Sequence, residues 1–271
     1  MMFTIIIPTL NHQDTIIYAV QSILEQTLQD FEIFIVSDGA PPRTKQIAEQ
    51  LIKKDARIRY FDNPKGEGYG EAHRAEAIKH AQGTFIGYCG DDDLWLPHHL
   101  ETLRPWLDDY DFVHTTQPTV INEGAGINFH TGDLKNKLLR KKMMNEKFNF
   151  FGPTTVSHRL DSYRKLPYGW RPKPDNMYSD LHMWRQWLSE DWVLFKSLPD
   201  PTVLHLQDAQ HNTLTTEQRC QKMIRWLDRF KHEEFPSWLI SEQQKNHPER
   251  QPKTRRNVKI VRIIKQMLSL K

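Results

Sequence analysis

Asp91, Asp92 and Asp93 follow the short apolar run Thr84-Phe85-Ile86-Gly87-Tyr88 and precede an aromatic-rich stretch that opens at Leu94. Three adjacent carboxylates repel one another, so a fold keeps them ionised together only where water, hydrogen-bond donors or a cation offsets the repulsion. Their hard oxygen atoms select magnesium, manganese or calcium over zinc. The same residues also suit a plainer role: ending a strand and capping a helix from Leu94, with Asp93 accepting backbone N–H groups and Pro97 in the first turn.

The elements that would position this triplet alternate regularly. Phe3-Thr4-Ile5-Ile6-Ile7 is a continuous β-branched run, the pattern of a strand buried on both faces of a parallel sheet, and Pro8-Thr9-Leu10-Asn11 ends it. A helix is expected from about Asp14 to Gln26, with Ile16, Ala19, Val20, Ile23 and Leu24 on one face and Asp14 or Thr15 as its cap. A second strand, Phe31 to Val36, runs into the turn Ser37-Asp38-Gly39-Ala40-Pro41-Pro42. A helix over Thr44 to Lys54, a strand over Ile58 to Phe61, a loop with Gly66, Gly68 and Gly70, and a helix to Ala81 lead to the strand before the aspartates. Such alternation predicts an α/β fold, a doubly wound, mostly parallel sheet with helices on both faces. Ligands of these sheets bind beyond the carboxyl ends of the strands, which gathers Pro8 to Asn11, Ser37 to Gly39 and the three aspartates on one rim.

In order and spacing, Thr4 to Asn11, Ser37-Asp38-Gly39, His73-Arg74 ahead of Ala81-Gln82-Gly83, and Asp91-Asp92-Asp93-Leu94-Trp95-Leu96-Pro97 resemble the successive motifs of family 2 glycosyltransferases, inverting sugar-nucleotide-dependent enzymes of GT-A fold. The resemblance is specific over residues 3–105. It continues more weakly through Gly152 to Arg159, similar to the family's strand beside the acceptor, and through Asp180-Leu181-His182-Met183-Trp184-Arg185, similar to the helix with its catalytic carboxylate. It implies that residues 1–105 form the nucleotide-sugar-binding half of one domain and 106–215 the acceptor-binding half; beyond about residue 215 no family motif follows, and 216–271 reads as a helical, basic extension. It further implies that Pro8, Thr9 and Asn11 border the nucleotide, that Asp38 hydrogen-bonds the base, and that Arg74 faces the nucleotide or its phosphates. Asp92 would hold Mn2+ or Mg2+, with Asp91 and Asp93 contacting sugar, ribose or the metal and its water, and His211 as a late ligand; His205 reads instead as a strand residue at the sheet edge. Ser37 replaces the family's usual first Asp of Asp-Asp-Gly-Ser, and Ala75 and Ala77 replace the Asn and Gly that usually follow the arginine.

The implied chemistry separates charge. Cleaving the bond from a sugar's anomeric carbon to a nucleoside diphosphate builds negative charge on two phosphates, which a bridging cation stabilises. On the opposite face the acceptor hydroxyl must lose its proton, and a carboxylate can take it. By motif position that carboxylate is Asp180, although an Asp after Tyr178-Ser179 would also favour a helix's first turn.

The remaining sequence sets the surroundings. The 271 residues suffice for one sizeable core with an appendage. Cys89 and Cys220 have no spacing partner, so neither a zinc site nor a disulfide framework is expected, in keeping with a reducing cytoplasm. No stretch approaches the roughly 20 apolar residues of a membrane span, and the N-terminus enters a core strand at once, which leaves no room for a signal peptide. Aromatic residues concentrate between 148 and 238. Trp184, Trp187 and Trp192 suit core packing, whereas Tyr168-Gly169-Trp170 offers Trp170 as a face for an acceptor sugar. Gly124 to Asn149, rich in lysine, reads as a mobile loop and helix over the site. From Lys245 to Lys271 nine Lys or Arg stand against one acid, so the rest of this +3 chain is net negative. Within 250–271 the apolar and basic residues recur at near-helical spacing, the pattern of an amphipathic anchor on an anionic membrane surface or of a terminal helix packed on the domain; the resemblance, to a family many of whose enzymes act on lipid-linked acceptors at a membrane's inner face, fits the anchor. Nucleic acid is not an expected partner, because the tail lacks aromatic interleaving. A sugar nucleotidylyltransferase would need a Gly-rich, basic phosphate loop after the first strand, which Pro8 to Asn11 lacks; a degenerate, non-catalytic sugar-nucleotide module is the other alternative.

Overall fold

The computed structural model describes residues 1–11, 14–121, 126–206 and 214–246. His211 and the basic tail 250–271 lie outside the described residues.

The first half forms as its alternation predicts. Strand β1 (Phe3–Thr9) is followed by α1 (Ile16–Leu24), β2 (Phe31–Ser37), α2 (Pro42–Lys54), β3 (Ile58–Phe61), α3 (Glu71–Ile78) and β4 (Phe85–Tyr88). β1 lies at the centre, parallel to β2 on one side and β4 on the other, in register Thr9↔Ser37 and Ile6↔Tyr88. β3 extends the sheet parallel to β2. Successive side chains of these strands enter opposite layers. Ile5, Ile7, Ile33 and Ile35 pack with residues of α1 and α2, while Ile6 and Phe34 pack with Ala77 and Ile78 of α3. Burial on both faces is why the strands read as unbroken apolar runs rather than alternations.

The stretch from Leu94 corrects the expected helix. Leu94–Trp95 is a two-residue strand, β5, and the helix α4 begins only at His99–Leu103, followed by a single 3-10 turn at Arg104–Trp106. Trp95 has aromatic strand preference and is fully buried, with its indole N–H donating to the Thr154 carbonyl at 3.0 Å; Pro97 then interrupts any helix through Leu94.

Past that point the sheet turns mixed. Strands β6 (Phe112–Ile121), β7 (Gly126–His130), β8 (Val156–Arg159) and β9 (Phe195–Pro201) give the order β3-β2-β1-β4-β8-β6-β7, with β9 parallel to β6. β8 is antiparallel to both β4 and β6. β10 (Val203–Leu204) pairs antiparallel with β5. The helices are α5 (Lys137–Asn145), α6 (Leu160–Tyr163), α7 (Ser179–Leu188), α8 (Thr216–Phe230) and α9 (Phe235–Asn246). The stretch expected as loop and helix from Gly124 thus contributes an edge strand as well as α5. Trp184 and Trp187 are buried in α7, whereas Trp192 is 37% exposed with Lys165 over its ring, a departure from the expected core position.

A buried polar knot fixes the turn into β4. The Thr4 hydroxyl donates to Glu32 at 2.6 Å, Glu32 also accepts the Gln82 N–H at 2.7 Å, and the Gly83 N–H donates to Thr4 at 2.9 Å. A Cβ at Gly83 would press into the backbone of Phe3 and Thr4. Gly83→Ala is therefore expected to cost about 2 kcal/mol of stability, read as a lowered urea midpoint at unchanged slope.

Candidate active site

Three strand ends meet on one rim. β1 and β2 finish level, with the Asp38 N–H donating to the Thr9 carbonyl at 3.0 Å, and the Cys89 N–H donates to Ile6 at 3.0 Å as β4 leaves the sheet beside them. Pro8 is partly buried, Asn11 is exposed, and the buried Thr9 hydroxyl has no hydrogen-bond partner among the described residues. The Ser37 hydroxyl accepts the Ala40 N–H at 3.0 Å, so serine closes the turn that presents Asp38.

Asp38 is buried and engaged. Its Oδ2 accepts Lys65 Nζ at 2.8 Å and its Oδ1 accepts the Gly66 N–H at 2.8 Å. Lys65 also donates to the Gly66 and Gly68 carbonyls, at 2.7 and 2.9 Å, so one ammonium gathers the loop over the carboxylate. Gly70, with φ of 74°, lies so close that a Cβ would meet the Asp38 Cβ at 3.0 Å. No local pattern marks Lys65 as a partner of Asp38, since the contact spans 27 residues.

The acidic turn divides its carboxylates between two tasks. Asp93 is 3% exposed, and its oxygens accept the Thr154 hydroxyl, His205 Nδ1 at 2.7 Å and the Leu206 N–H at 3.3 Å. Burial alone would raise its pKa, but the His205 charge and these donors hold it below the usual carboxylate value. Asp93, which the resemblance offered as a metal ligand, thus has its oxygens engaged in bracing the turn, and His205, which bridges Thr119 at the sheet edge just past β10 as expected, reaches it through Nδ1. Asp91 is buried and Asp92 half-buried. A Cβ at Gly90 would meet Asp93 Oδ2 at 2.8 Å and Asp92 Oδ1 at 3.3 Å, so the glycine lets the carboxylates fold back over the backbone. Among the described residues no three His, Cys, Asp or Glu side chains converge into a metal cage. The oxygen donors Asp91 and Asp92 suit a hard cation such as magnesium or manganese.

Across the crevice, Arg74 of α3 and the N-terminus of α7 form the second centre. Arg74 is 7% exposed; its Nη2 donates to the Ser179 hydroxyl at 3.1 Å and its guanidinium carbon sits 4.3 Å from the Trp170 ring centroid. Burial lowers its pKa, opposed by attraction to Glu71, Tyr88, Asp180 and Asp38. Asp180 accepts the Asn149 amide at 2.7 Å and the Leu181 N–H at 2.7 Å. Burial raises its pKa to about 6, against the pull of those donors and of Arg74. A carboxyl poised there is ionised at neutral pH yet basic enough to accept a proton. Trp170, expected to offer a face to an acceptor, is instead 3% exposed beneath Arg74. Asn149, Thr154 and Ser179 were not singled out from the sequence; each is a common polar residue whose role depends on contacts distant in the chain.

With this geometry in place, comparison with known proteins fixes the class. The model of glycosyl transferase family 2 matches residues 4–166, and the chain belongs to that family. An uncharacterised glycosyltransferase of Bacillus subtilis, EpsJ, is 44% identical over 90 residues, 33% of this chain and 26% of that one. The GalNAc(5)-diNAcBac-PP-undecaprenol beta-1,3-glucosyltransferase of Campylobacter jejuni is 26% identical over 165 residues, 58% of this chain and 53% of that one. The chain thus spans about half or less of the length of these curated relatives. Among solved structures, S. aureus TarS 1-349 in complex with UDP-GlcNAc superposes with a TM-score of 0.61 at 16% identity, over 90% of this chain and 73% of that one, which establishes the shared GT-A fold.

A raised carboxyl pKa has a consequence for stability. Asp180 binds its proton more tightly when folded, so its contribution is most favourable below the unfolded value of 3.8 and declines as pH rises towards about 6. Asp180→Asn is therefore expected to raise stability at pH 7 by about 1–2 kcal/mol, with little change at pH 4, as read by denaturation at the two pH values.

Proposed function

We propose that this chain is an inverting glycosyltransferase that moves a sugar from a nucleoside diphosphate sugar, with uridine as the base, to a hydroxyl of a glycan or lipid-linked acceptor. The observation that carries the reading is Asp180, held near a pKa of about 6 at the first turn of α7 and drawn to the buried Arg74, which also feels Asp38 across the crevice. The names of the relatives support the substrates: the Campylobacter jejuni enzyme is named for an undecaprenol-linked diphosphate acceptor, and TarS has been solved with UDP-GlcNAc.

In this reading Asp38 accepts from the base, with Pro8, Thr9 and Asn11 along the nucleotide's border. Arg74 carries a positive charge that its buried position leaves unscreened towards the donor's phosphates. Asp180 takes the proton of the acceptor hydroxyl as that oxygen attacks the anomeric carbon from the face opposite the leaving diphosphate, which inverts the centre. Asn149 fixes one carboxylate oxygen and the Leu181 N–H the other, so the base is oriented before the acceptor arrives. Asp91 and Asp92, with His211, would hold Mn2+ or Mg2+, whose Lewis acidity stabilises a departing diphosphate. Residues 250–271 would rest on an anionic membrane surface at the cytoplasmic face, where a lipid-linked acceptor is presented. No helix among the described residues is long and apolar enough to cross a membrane.

A screen of sugar nucleotides for manganese-dependent thermal stabilisation identifies the donor, since a ligand that binds only the folded state raises the unfolding temperature. With that donor, Asp180→Asn is expected to lose about a thousandfold or more in kcat while its manganese-dependent stabilisation by UDP persists. An Asp180→Asn enzyme turning over at the wild-type rate overturns the assignment. Removal of residues 250–271 is expected to shift the protein from the membrane to the soluble fraction of lysed cells; unchanged partitioning disproves the anchor.

A further inference from the structure

The acidic turn and Asp180 come from opposite halves of the chain, and a directed series of side chains joins them. Tyr88 is the last residue of β4, three positions before Asp91, and His158 stands beside it on β8. His158 Nδ1 lies 3.1 Å from the Arg159 carbonyl, which can only accept, so Nδ1 carries the ring hydrogen and Nε2 does not. Burial lowers the His158 pKa to about 4, which keeps the ring neutral at physiological pH. The Tyr88 hydroxyl, 2.7 Å from Nε2, must then donate to it. Burial pushes the Tyr88 pKa well above its ordinary value, so that proton stays in place. The hydroxyl's remaining lone pairs accept the Trp170 indole N–H at 2.9 Å.

Trp170 is thereby clamped at several points. Its backbone N–H donates to the Tyr163 hydroxyl at 3.1 Å, and its ring meets Tyr88 and Trp184 edge-on, at 5.5 and 5.8 Å between centroids. Its face carries the Arg74 guanidinium. Arg74 Nε is buried with no hydrogen-bond partner among the described residues, so the ring and the single bond to Ser179 hold the group where it is. Ser179 immediately precedes Asp180.

We propose that Tyr88 and Trp170, backed by His158, are positioning residues for glycosyl transfer: they fix Arg74 against the first turn of α7, and through it the charge beside the base. This rests on Asp180 as the base. The groups around Asp180 are Arg74 on α3, the neutral Asn149 amide ahead of β8, and His182 and Arg185 on α7 itself; Glu71 on α3 acts on Arg74 and His182. Of these charged groups Arg74 is the one that acts on Asp180. A desolvated guanidinium on tryptophan is held strongly, so losing the ring frees it.

The experiment compares Trp170→Leu, Trp170→Phe and Tyr88→Phe in the full chain, with kcat, donor KM, the pH profile of kcat/KM and thermal unfolding all measured. Trp170→Leu is expected to lower kcat about tenfold or more and to move the acidic limb to higher pH, since a displaced cation no longer favours the carboxylate. Trp170→Phe keeps a ring beneath Arg74 and recovers most of the rate, while Tyr88→Phe shifts the limb in the same direction by a smaller amount. Folded Trp170→Leu and Tyr88→Phe enzymes with the wild-type limb and kcat, altered only in melting temperature, overturn the proposal. If Trp170→Leu does not fold, Tyr88→Phe decides alone. An active Asp180→Asn enzyme would sink the base assignment itself, whereas an inactive one beside unshifted Tyr88 and Trp170 variants sinks the positioning role and leaves the base standing.

Discussion

A guanidinium that cannot lose its proton is buried at the junction of the two halves, and the surrounding structure is arranged to make that burial tolerable. Desolvating a charge costs several kcal/mol unless partners replace water. Among the described residues the Arg74 guanidinium has a hydrogen bond to Ser179, the face of Trp170, and a field from Glu71, Tyr88, Asp180 and Asp38. Those partners come from β4, the end of β2, α3 itself, the 163–170 connection and the start of α7. The position of one side chain therefore demands that elements far apart in sequence close on each other. A lysine would not substitute, because its compact ammonium lacks the planar face that stacks on tryptophan.

The sheet supplies the rigid frame for this closure. β1 lies between β2 and β4, paired with β2 along its whole length to a level end and with β4 over Phe3 to Ile6. A one-residue slip would exchange Ile5 and Ile7 with Ile6 between two differently shaped cores and would displace Asp38 and the acidic turn from a common rim. The antiparallel insertion of β8 next to β4 brings His158 to Tyr88, and the 3-10 turn Pro153–Thr155 that leads into it brings Thr154 to Asp93, so one continuous segment braces both the acidic turn and the tyrosine behind Arg74.

The parts legible in the sequence were those written in local pattern. Phe3 to Ile7 and Phe31 to Val36 announce buried parallel strands because burial on both faces leaves unbroken apolar runs, and the rim follows from where those runs stop. Leu94-Trp95 misled, because two aromatic and aliphatic residues before a proline suit a helix start as well as a strand, and only pairing with Val203–Leu204 decides between them. Trp170 misled for a related reason: a Tyr-Gly-Trp sequence looks like a surface platform, and nothing local discloses the arginine that arrives from residue 74. The bond from His205 to Asp93 and the Lys65 ammonium over Asp38 are likewise long-range, and a single sequence carries no sign of either.

The two ends of the site are built to different degrees, and the chemistry accounts for the difference. Asp180 has both oxygens directed by N–H donors and its proton affinity raised by burial, so the fold itself sets its orientation and its charge. The acidic turn has no complete cage among the described residues, since Asp93 is committed to Thr154 and His205. A partial oxygen set of this kind suits a hard cation such as magnesium or manganese that takes its remaining ligands from elsewhere. The acidic turn and the surroundings of Asp180 thus differ in kind: the one offers carboxylate oxygens at a strand end, the other a single carboxyl whose orientation is set by Asn149 and the first turn of α7 and whose charge is favoured by Arg74.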